Sequence, residues 1–214
     1  MIGNANIEQI LSRLEAGLRA MPERSRASVF IPLVRGENDV EILFEVRAAH
    51  LKRQPGEVCL PGGHIEPGES ARDAAIRETC EELLVDRCQI ANVVDMGRID
   101  GPGGMPLRVF AGELVGYAGS FDAEEVGSVF TVSLDWFLEH EPAVYTGRLE
   151  LQAPDNLPWD LIPGGRAYPW HTRRHEIPFY EDTNPVIWGF TARVVRWFVN
   201  VLKAGYSAED ASGA

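Results

Sequence analysis

Residues Gly63 to Val85 read GHIEPGESARDAAIRETCEELLV, and the reading of this stretch decides the rest of the chain. Glu78 and Glu82 stand four apart and Glu81 lies three beyond Glu78, so a helix sets the three carboxylates on neighbouring rows of one face. They repel one another unless a cation lies between them. Ser70 followed three residues later by Asp73, just after the turn-forming Pro67-Gly68, predicts the N-cap of that helix. Ala71, Ala74, Ala75, Ile76, Thr79, Leu83 and Leu84 supply a small and apolar surface that packs inward while the acids face out. Hard oxygen donors on one rigid turn suit Mg²⁺ or Mn²⁺, ions that keep several waters and take further ligands from substrate phosphates. The chemistry this predicts is attack of water on a phosphate. Without a cation the same pattern is an exposed acidic helix face.

Length and composition set the outer limits. A chain of 214 residues fits one domain of generous size, and 45% hydrophobic with 24% charged residues are globular values. Twenty basic against 32 acidic residues give a net charge of −12, which disfavours nonspecific binding to nucleic acid or an anionic membrane surface. A polyphosphate substrate stays compatible with that charge, because metal ions and a few basic groups set the local field. Cys59, Cys80 and Cys88 form no CxxC pair and are odd in number, which predicts free thiols in a reducing compartment. With no signal pattern and no apolar run approaching 18 residues, the expectation is a soluble cytoplasmic protein.

Upstream, Ile7 to Met21 carries apolar residues at three- and four-residue steps, which predicts an amphipathic N-terminal helix. Arg26 to Val34 and Val40 to Arg47 are β-rich runs parted by the turn-like Gly36-Glu37-Asn38-Asp39, a predicted hairpin. Arg47, His50, Lys52 and Arg53 then put cationic or protonatable groups beside a glycine-rich approach in an otherwise acidic chain. Such a patch grips phosphates, or else is a solvated basic loop. Pro61-Gly62-Gly63 lets the main chain come close to a metal or phosphate.

Gly63, Glu69, Arg77, Glu78, Glu81 and Glu82 fall at the spacing of the Nudix box, and on these residues the chain resembles the Nudix superfamily. Leu84 stands where the box usually has glycine, so the helix is expected to close differently, and Thr79 replaces an aliphatic residue. The segment LFEVRAAHLKRQPGEVCLPGG from Leu43 resembles the signature LLTxRSxxxRxxxGxxxFPGG of the coenzyme A pyrophosphatase branch. Leu43, Arg47, Gly56, Pro61, Gly62 and Gly63 match in register, while Glu45, Ala48, Lys52 and Leu60 depart from it. The piece IWGFTA, Ile187 to Ala192, is similar to a C-terminal stretch of the same branch.

Beyond the helix, Cys88 to Ile99 and Leu107 to Val115 predict a second hairpin around Asp100-Gly101-Pro102-Gly103-Gly104. Glu124 or Glu125, in a polar loop, is placed to swing toward a metal or to remain an exposed acid. Val126 to Leu134 reads as a strand, Asp135 to Glu139 as a short helix and Ala143 to Leu151 as another strand. Residues 153–185 read as a proline-rich, loop-rich insertion. Its Trp159, Tyr168, Trp170, His171, Arg173, Arg174 and His175 suit either an adenine and a phosphate or plain packing, with the histidines poor candidates as metal ligands. Pro185 to Val201 predicts an apolar C-terminal helix suited to packing or a homodimer contact, and Ala204 onward a frayed tail.

The resemblance implies an α/β fold: a single domain spanning 1–214, an α/β/α sandwich with a mixed sheet and with N- and C-terminal helices. The core is expected at about 26–151, the insertion at 153–185 and the last helix at 186–203. It implies Mg²⁺- or Mn²⁺-dependent hydrolysis of a nucleoside diphosphate derivative, with a small-molecule substrate and neither nucleic acid nor membrane as partner. Glu78, Glu81 and Glu82, with Glu69 as a further or water-mediated ligand, are the expected metal residues. Glu78, Glu81 and Arg77 are the expected catalytic residues, Arg77 chiefly by orienting a box carboxylate. Arg47, Lys52, Arg53, Gly62 and Gly63 are expected at the substrate. The general base is one of the helix glutamates or Glu124 or Glu125. The leading substrate is coenzyme A or an acyl derivative, cut to 3′,5′-ADP and a phosphopantetheine. ADP-ribose, NADH or another nucleotide sugar is the alternative within enzymes, and a non-catalytic nucleotide sensor the alternative outside them.

Overall fold

In β1 (Ala27–Arg35), Ala27, Val29, Ile31 and Leu33 face one side while Phe30 and Val34 face the other, so a single strand feeds the apolar packing on both faces. The computed structural model of the chain describes residues 25–36 and 39–212; the predicted helix over Ile7 to Met21 lies outside them.

β2 (Val40–Arg47) pairs antiparallel with the end of β1, as the hairpin reading expects. Ahead of Leu33 on β1, and beyond Ile42 on β2, the two strands splay, and the chain threads between them twice. β3 (Val58–Cys59) pairs with β2, and β4 (Gly62–His64) pairs with the start of β1. Pro32, with no N–H to donate, stands in the interval between the β4 and β2 pairings. The splay is what sets Gly62 and Gly63 opposite the acidic helix.

That helix, α1, runs Ala71–Leu83, and its Ser70 cap is in place, the hydroxyl accepting the Asp73 N–H at 3.1 Å. The strands β5 (Ile90–Asp100) and β6 (Pro106–Leu114) form the expected second hairpin, and β6 runs parallel to β1. β7 (Val126–Ser133) lies along the free edge of β2 and turns into α2 (Leu134–Glu139). The result is a mixed seven-stranded sheet in the order β3-β2-β1-β6-β5 with β4 and β7 paired beside this path.

α1 covers one face through Ala71 and Ala75 against Phe30 and Phe110, and through Leu83 against Val34, Leu43 and Leu114. The other face packs on Phe137 of α2 and on Ala192, Val194, Val195, Phe198 and Val199 of α3 (Gly189–Ser212). Two helical layers around one mixed sheet give the expected α/β/α sandwich. Thr79, buried where an aliphatic residue is usual, satisfies its hydroxyl on the Ala75 carbonyl at 2.7 Å.

Three readings need correction. The 153–185 stretch is not all loop: β9 (Arg173–Tyr180) sits between β8 (Ala143–Leu149) and β10 (Ile187–Trp188) in a separate antiparallel sheet against α3. Pro178 inside Arg173–Tyr180 hid that strand, yet β10 pairs only with Phe179 and Tyr180, so at Pro178 the strand has a partner on the β8 side alone. The chain from Ala204 is no tail, because α3 continues to Ser212, and it begins only at Gly189, four residues after Pro185. Leu84 closes α1 in the left-handed conformation that glycine would adopt, with φ 50° and ψ 50°. The closure is therefore the usual one, on an unusual residue. The three cysteines are free, as expected.

Candidate active site

A cleft of about 930 Å³ opens where β1 and β2 splay, and α1 supplies its acidic floor. Gly62 and Gly63 fit there for steric reasons. A Cβ on Gly62, whose φ is 151°, would lie 2.3 Å from the Ser28 carbonyl oxygen, and one on Gly63 would lie 2.3 Å from the Glu78 carboxylate. The freed space lets the Gly62 N–H donate to Glu82 Oε2 at 2.8 Å.

Glu82 is almost wholly buried at 4% exposure, and burial, with Glu78 and Glu125 close by, pushes its carboxyl up to about 8 against the pull of the Gly62 N–H and of Arg47. Burial likewise raises Glu78, more than its Arg77 contact lowers it. Both are cleft-lining, as are Gly62, Gly63, Arg47 and Arg53. Lys52 is not among the lining residues, so of the expected basic grip only the two arginines face the cleft. Of the two loop acids, Glu125 lines it and Glu124 does not. The loop is held over the end of α1 by Asp122 N–H on the Glu82 carbonyl at 2.8 Å and by Ser120 Oγ on the Leu83 carbonyl at 2.7 Å.

Arg77 binds both Glu69 oxygens, at 3.0 and 3.1 Å, Glu78 Oε1 at 3.0 Å, Glu81 Oε2 at 2.9 Å and the His64 carbonyl at 3.1 Å. All five of its N–H groups are thus engaged within the protein. Arg77 therefore holds Glu78 in place and has no donor left for a substrate, a geometry compatible with the orienting role expected from the sequence. Glu69, also held by the Glu66 N–H at 3.1 Å, belongs to this clamp, as does the largely exposed Glu81, and neither lines the cleft.

One acid escaped notice as a site residue. Glu45 is 1% exposed on the α1 face of β2, its Oε1 has no partner, and its Oε2 accepts the Cys59 thiol at 3.7 Å. Burial first, then the neighbouring Glu82, holds its carboxyl well above the usual range, and burial with Glu45 beside it raises the Cys59 thiol too. The sign was present in VEILFEVR: Ile42, Leu43, Phe44 and Val46 are all apolar, and Glu45 interrupts a strand buried on both faces.

Carboxylates gathered with raised pKa values suit a hard cation, whose charge would relieve the crowding. Among the described residues no three His, Cys, Asp or Glu side chains form a ready-made cation cage, so a cation held here would take most of its ligands from water and substrate oxygens.

The rest of the lining comes from the loop from Asp100 to Met105, from Arg173, His175 and Ile177 of β9, and from Trp188, Phe190, Thr191 and Arg193. The IWGFTA piece belongs to it, and Thr191 Oγ1 pins α3 to the Val58 carbonyl of β3 at 2.9 Å. Of the aromatic and basic residues picked out in 153–185, only Arg173 and His175 reach the cleft. Trp159 lies under Arg166 at 5.0 Å, and Tyr168 stacks edge-on against Trp170. No helix of the described residues is long and apolar enough to cross a membrane.

The NUDIX domain family matches residues 24–143. The chain is 34% identical over 172 residues to the peroxisomal coenzyme A diphosphatase NUDT7 of Mus musculus, covering 79% of this chain and 67% of that one. It is 33% identical over 119 residues to Nudix hydrolase 3 of Caenorhabditis elegans, covering 52% of this chain and 48% of the relative, so it spans about half the length of that protein. A crystal structure of a MutT/nudix family protein from Enterococcus faecalis aligns at TM-score 0.49 and 16% identity, over 93% of this chain and 70% of the other.

Proposed function

The chain belongs to the Nudix hydrolase family, and we propose that within it the protein hydrolyses the pyrophosphate bond of coenzyme A or an acyl derivative, releasing 3′,5′-ADP and a phosphopantetheine. The observation that carries this reading is that Glu78, Glu82, Arg47, Arg53 and the Gly62-Gly63 backbone line one cleft large enough for a dinucleotide-sized ligand. The partial coenzyme A signature and the similarity to the mouse diphosphatase support the choice of substrate.

Glu78 and Glu82 would hold the divalent cation, Mg²⁺ or Mn²⁺, with Glu45 and Glu125 within electrostatic reach. When bound, that ion supplies positive charge to the pyrophosphate and acidifies a water. Arg77, locked to Glu69, Glu78 and Glu81, keeps the Glu78 carboxylate in one rotamer, so little ordering remains to be done when substrate arrives. Arg47 and Arg53 offset charge on the pyrophosphate oxygens. Glu125, an exposed acid that lines the cleft, accepts the proton of the attacking water.

The test is product identification by mass spectrometry after incubation with Mg²⁺ and, separately, coenzyme A, dephospho-coenzyme A, ADP-ribose and NADH. Formation of 3′,5′-ADP from coenzyme A as the fastest reaction, abolished in Glu82→Gln, is expected. Faster cleavage of ADP-ribose or NADH sinks the coenzyme A reading, and no turnover of any substrate favours a sensor.

A further inference from the structure

Besides the acids of α1, the cleft is lined by Arg173, His175 and Arg193, with Asp100 and Glu176 beside them, in a chain whose net charge is −12. Arg173 and His175 extend from β9, and Arg193 from the first turns of α3, toward one stretch of wall. Resting on the hydrolytic reading above, we propose that Arg193, assisted by Arg173 and His175, anchors a phosphate monoester carried by the half of the substrate remote from the bond being cut.

Arg193 is the unusual member. It makes no hydrogen bond or ion pair with any described residue, and its Nε is buried without a partner. Its guanidinium carbon stands 5.4 Å from the centre of the Phe190 ring, a contact that fixes the plane of the fork and leaves its donors unused. The neighbouring acids are occupied elsewhere: Asp100 pairs with Arg173 at 3.8 Å and Glu176 with Arg196 at 3.2 Å. Burial lowers the Arg193 pKa, with Asp100 opposing and Arg173 reinforcing that shift, so its charge is poorly solvated. An arriving dianion would supply the missing partner, and the long Arg173–Asp100 contact is loose enough to open for it.

The near-wall arginines suit this role less. Arg47 donates Nε to the Arg53 carbonyl at 3.3 Å, and its charge already acts on Glu45, Glu82 and Cys59. It lies at the reacting bond, where a pyrophosphate needs it. Lys52 is outside the cleft. Beside Arg193, Trp188 is 41% exposed and held flat against Phe179, with ring centres 5.5 Å apart, so an aromatic face adjoins the basic one. A ribose phosphate next to a purine presents that same pair of features.

The experiment compares kcat/KM for coenzyme A and dephospho-coenzyme A in the full chain, in Arg193→Gln, in Arg193→Lys and in Arg47→Gln. The wild type is expected to prefer the phosphorylated substrate. Arg193→Gln is expected to lower that preference by about 10- to 100-fold, mainly through KM, as loss of a charge-assisted Arg–phosphate contact does. Arg193→Lys should recover part of it, and Arg47→Gln should slow both substrates together. An unchanged preference in Arg193→Gln, or its loss in Arg47→Gln alone, overturns the assignment, since misfolding would weaken both substrates alike. A wild type that cleaves both equally also overturns it while leaving the hydrolytic reading intact. If the wild type cleaves neither, the hydrolytic reading fails, and calorimetric titration with 3′,5′-ADP and 5′-AMP decides the anchor separately. Tighter binding of the bisphosphate that Arg193→Gln abolishes supports it, and equal binding of the two overturns it.

Discussion

The two walls of the cleft differ in how they are made. The acidic wall comes from one helix and the short strand facing it: Glu78 and Glu82 stand four residues apart on α1, Glu78 held by Arg77, which also binds Glu69 and Glu81, and Glu82 held by the Gly62 N–H. The basic wall is gathered from the 100–105 loop, β9 and the start of α3, and its arginine at position 193 is left without an ion pair among the described residues. A local, rigid wall suits chemistry, where small displacements cost orders of magnitude. A wall assembled from distant segments, ending in an unsatisfied cation, suits recognition of a ligand group.

The sharpest way to break this contrast is at the acids. Glu82→Gln keeps the Gly62 hydrogen bond through its amide oxygen and removes the charge, so kcat is expected to fall on the order of 10³-fold with the fold intact by circular dichroism. Retention of activity within about tenfold would remove Glu82 from the reaction centre. The glycine pair separates geometry from stability. In Gly62→Ala the new methyl meets backbone atoms of Ser28 and Val29 at 2.3 and 2.7 Å, and a loss of about 2 kcal/mol or more in urea unfolding is expected. In Gly63→Ala it meets the movable Glu78 carboxylate, so activity should fall more than stability.

A smaller effect follows from the raised acids. Glu82 and Glu45 bind their protons more tightly folded than unfolded, so unfolding releases protons above the ordinary carboxylate pKa of about 4.3, for Glu82 up to about 8. Metal-free protein should therefore lose stability as pH rises through that window, by at most about 1.4 kcal/mol per pH unit per group. Urea midpoints in EDTA at acid and alkaline pH measure this; Glu82→Gln and Glu45→Gln should flatten the slope, and an unchanged slope in both would contradict the burial argument. Glu69 has the opposite sign, held low by Arg77, and its contribution fades on acidification. Smallest is Leu84→Gly: the left-handed φ of 50° is strained for leucine, and a side chain 59% exposed loses little by removal, so a gain of about 0.5–1 kcal/mol is expected.

The same contrast explains what the sequence made legible. Ser70, the alanines and the acid spacing of α1 are local patterns, and local patterns survive in one dimension. Glu45 was readable in principle, as a charge inside a doubly buried strand, but its partners Cys59 and Glu82 are joined to it only by strand pairing and helix packing. Lys52 looked equivalent to Arg47 and Arg53 in sequence, and only the path of the 48–57 loop turns it away. Arg193 sat within an apolar stripe that reads as packing, which it mostly is. Nothing local marks the first turns of α3 as a cleft wall, because that depends on Thr191 docking on β3. β9 was obscured by Pro178, and the end of α3 by its polar composition.

The most direct test of divided labour is the Mn²⁺ dissociation constant at pH 8, measured by electron paramagnetic resonance on the full chain, Glu82→Gln and Arg193→Gln. Weakening of about tenfold or more in Glu82→Gln, with Arg193→Gln matching the wild type, is the predicted result. Equal Mn²⁺ affinity in wild type and Glu82→Gln would contradict the placement of the cation, and with it the reaction, at the acidic wall.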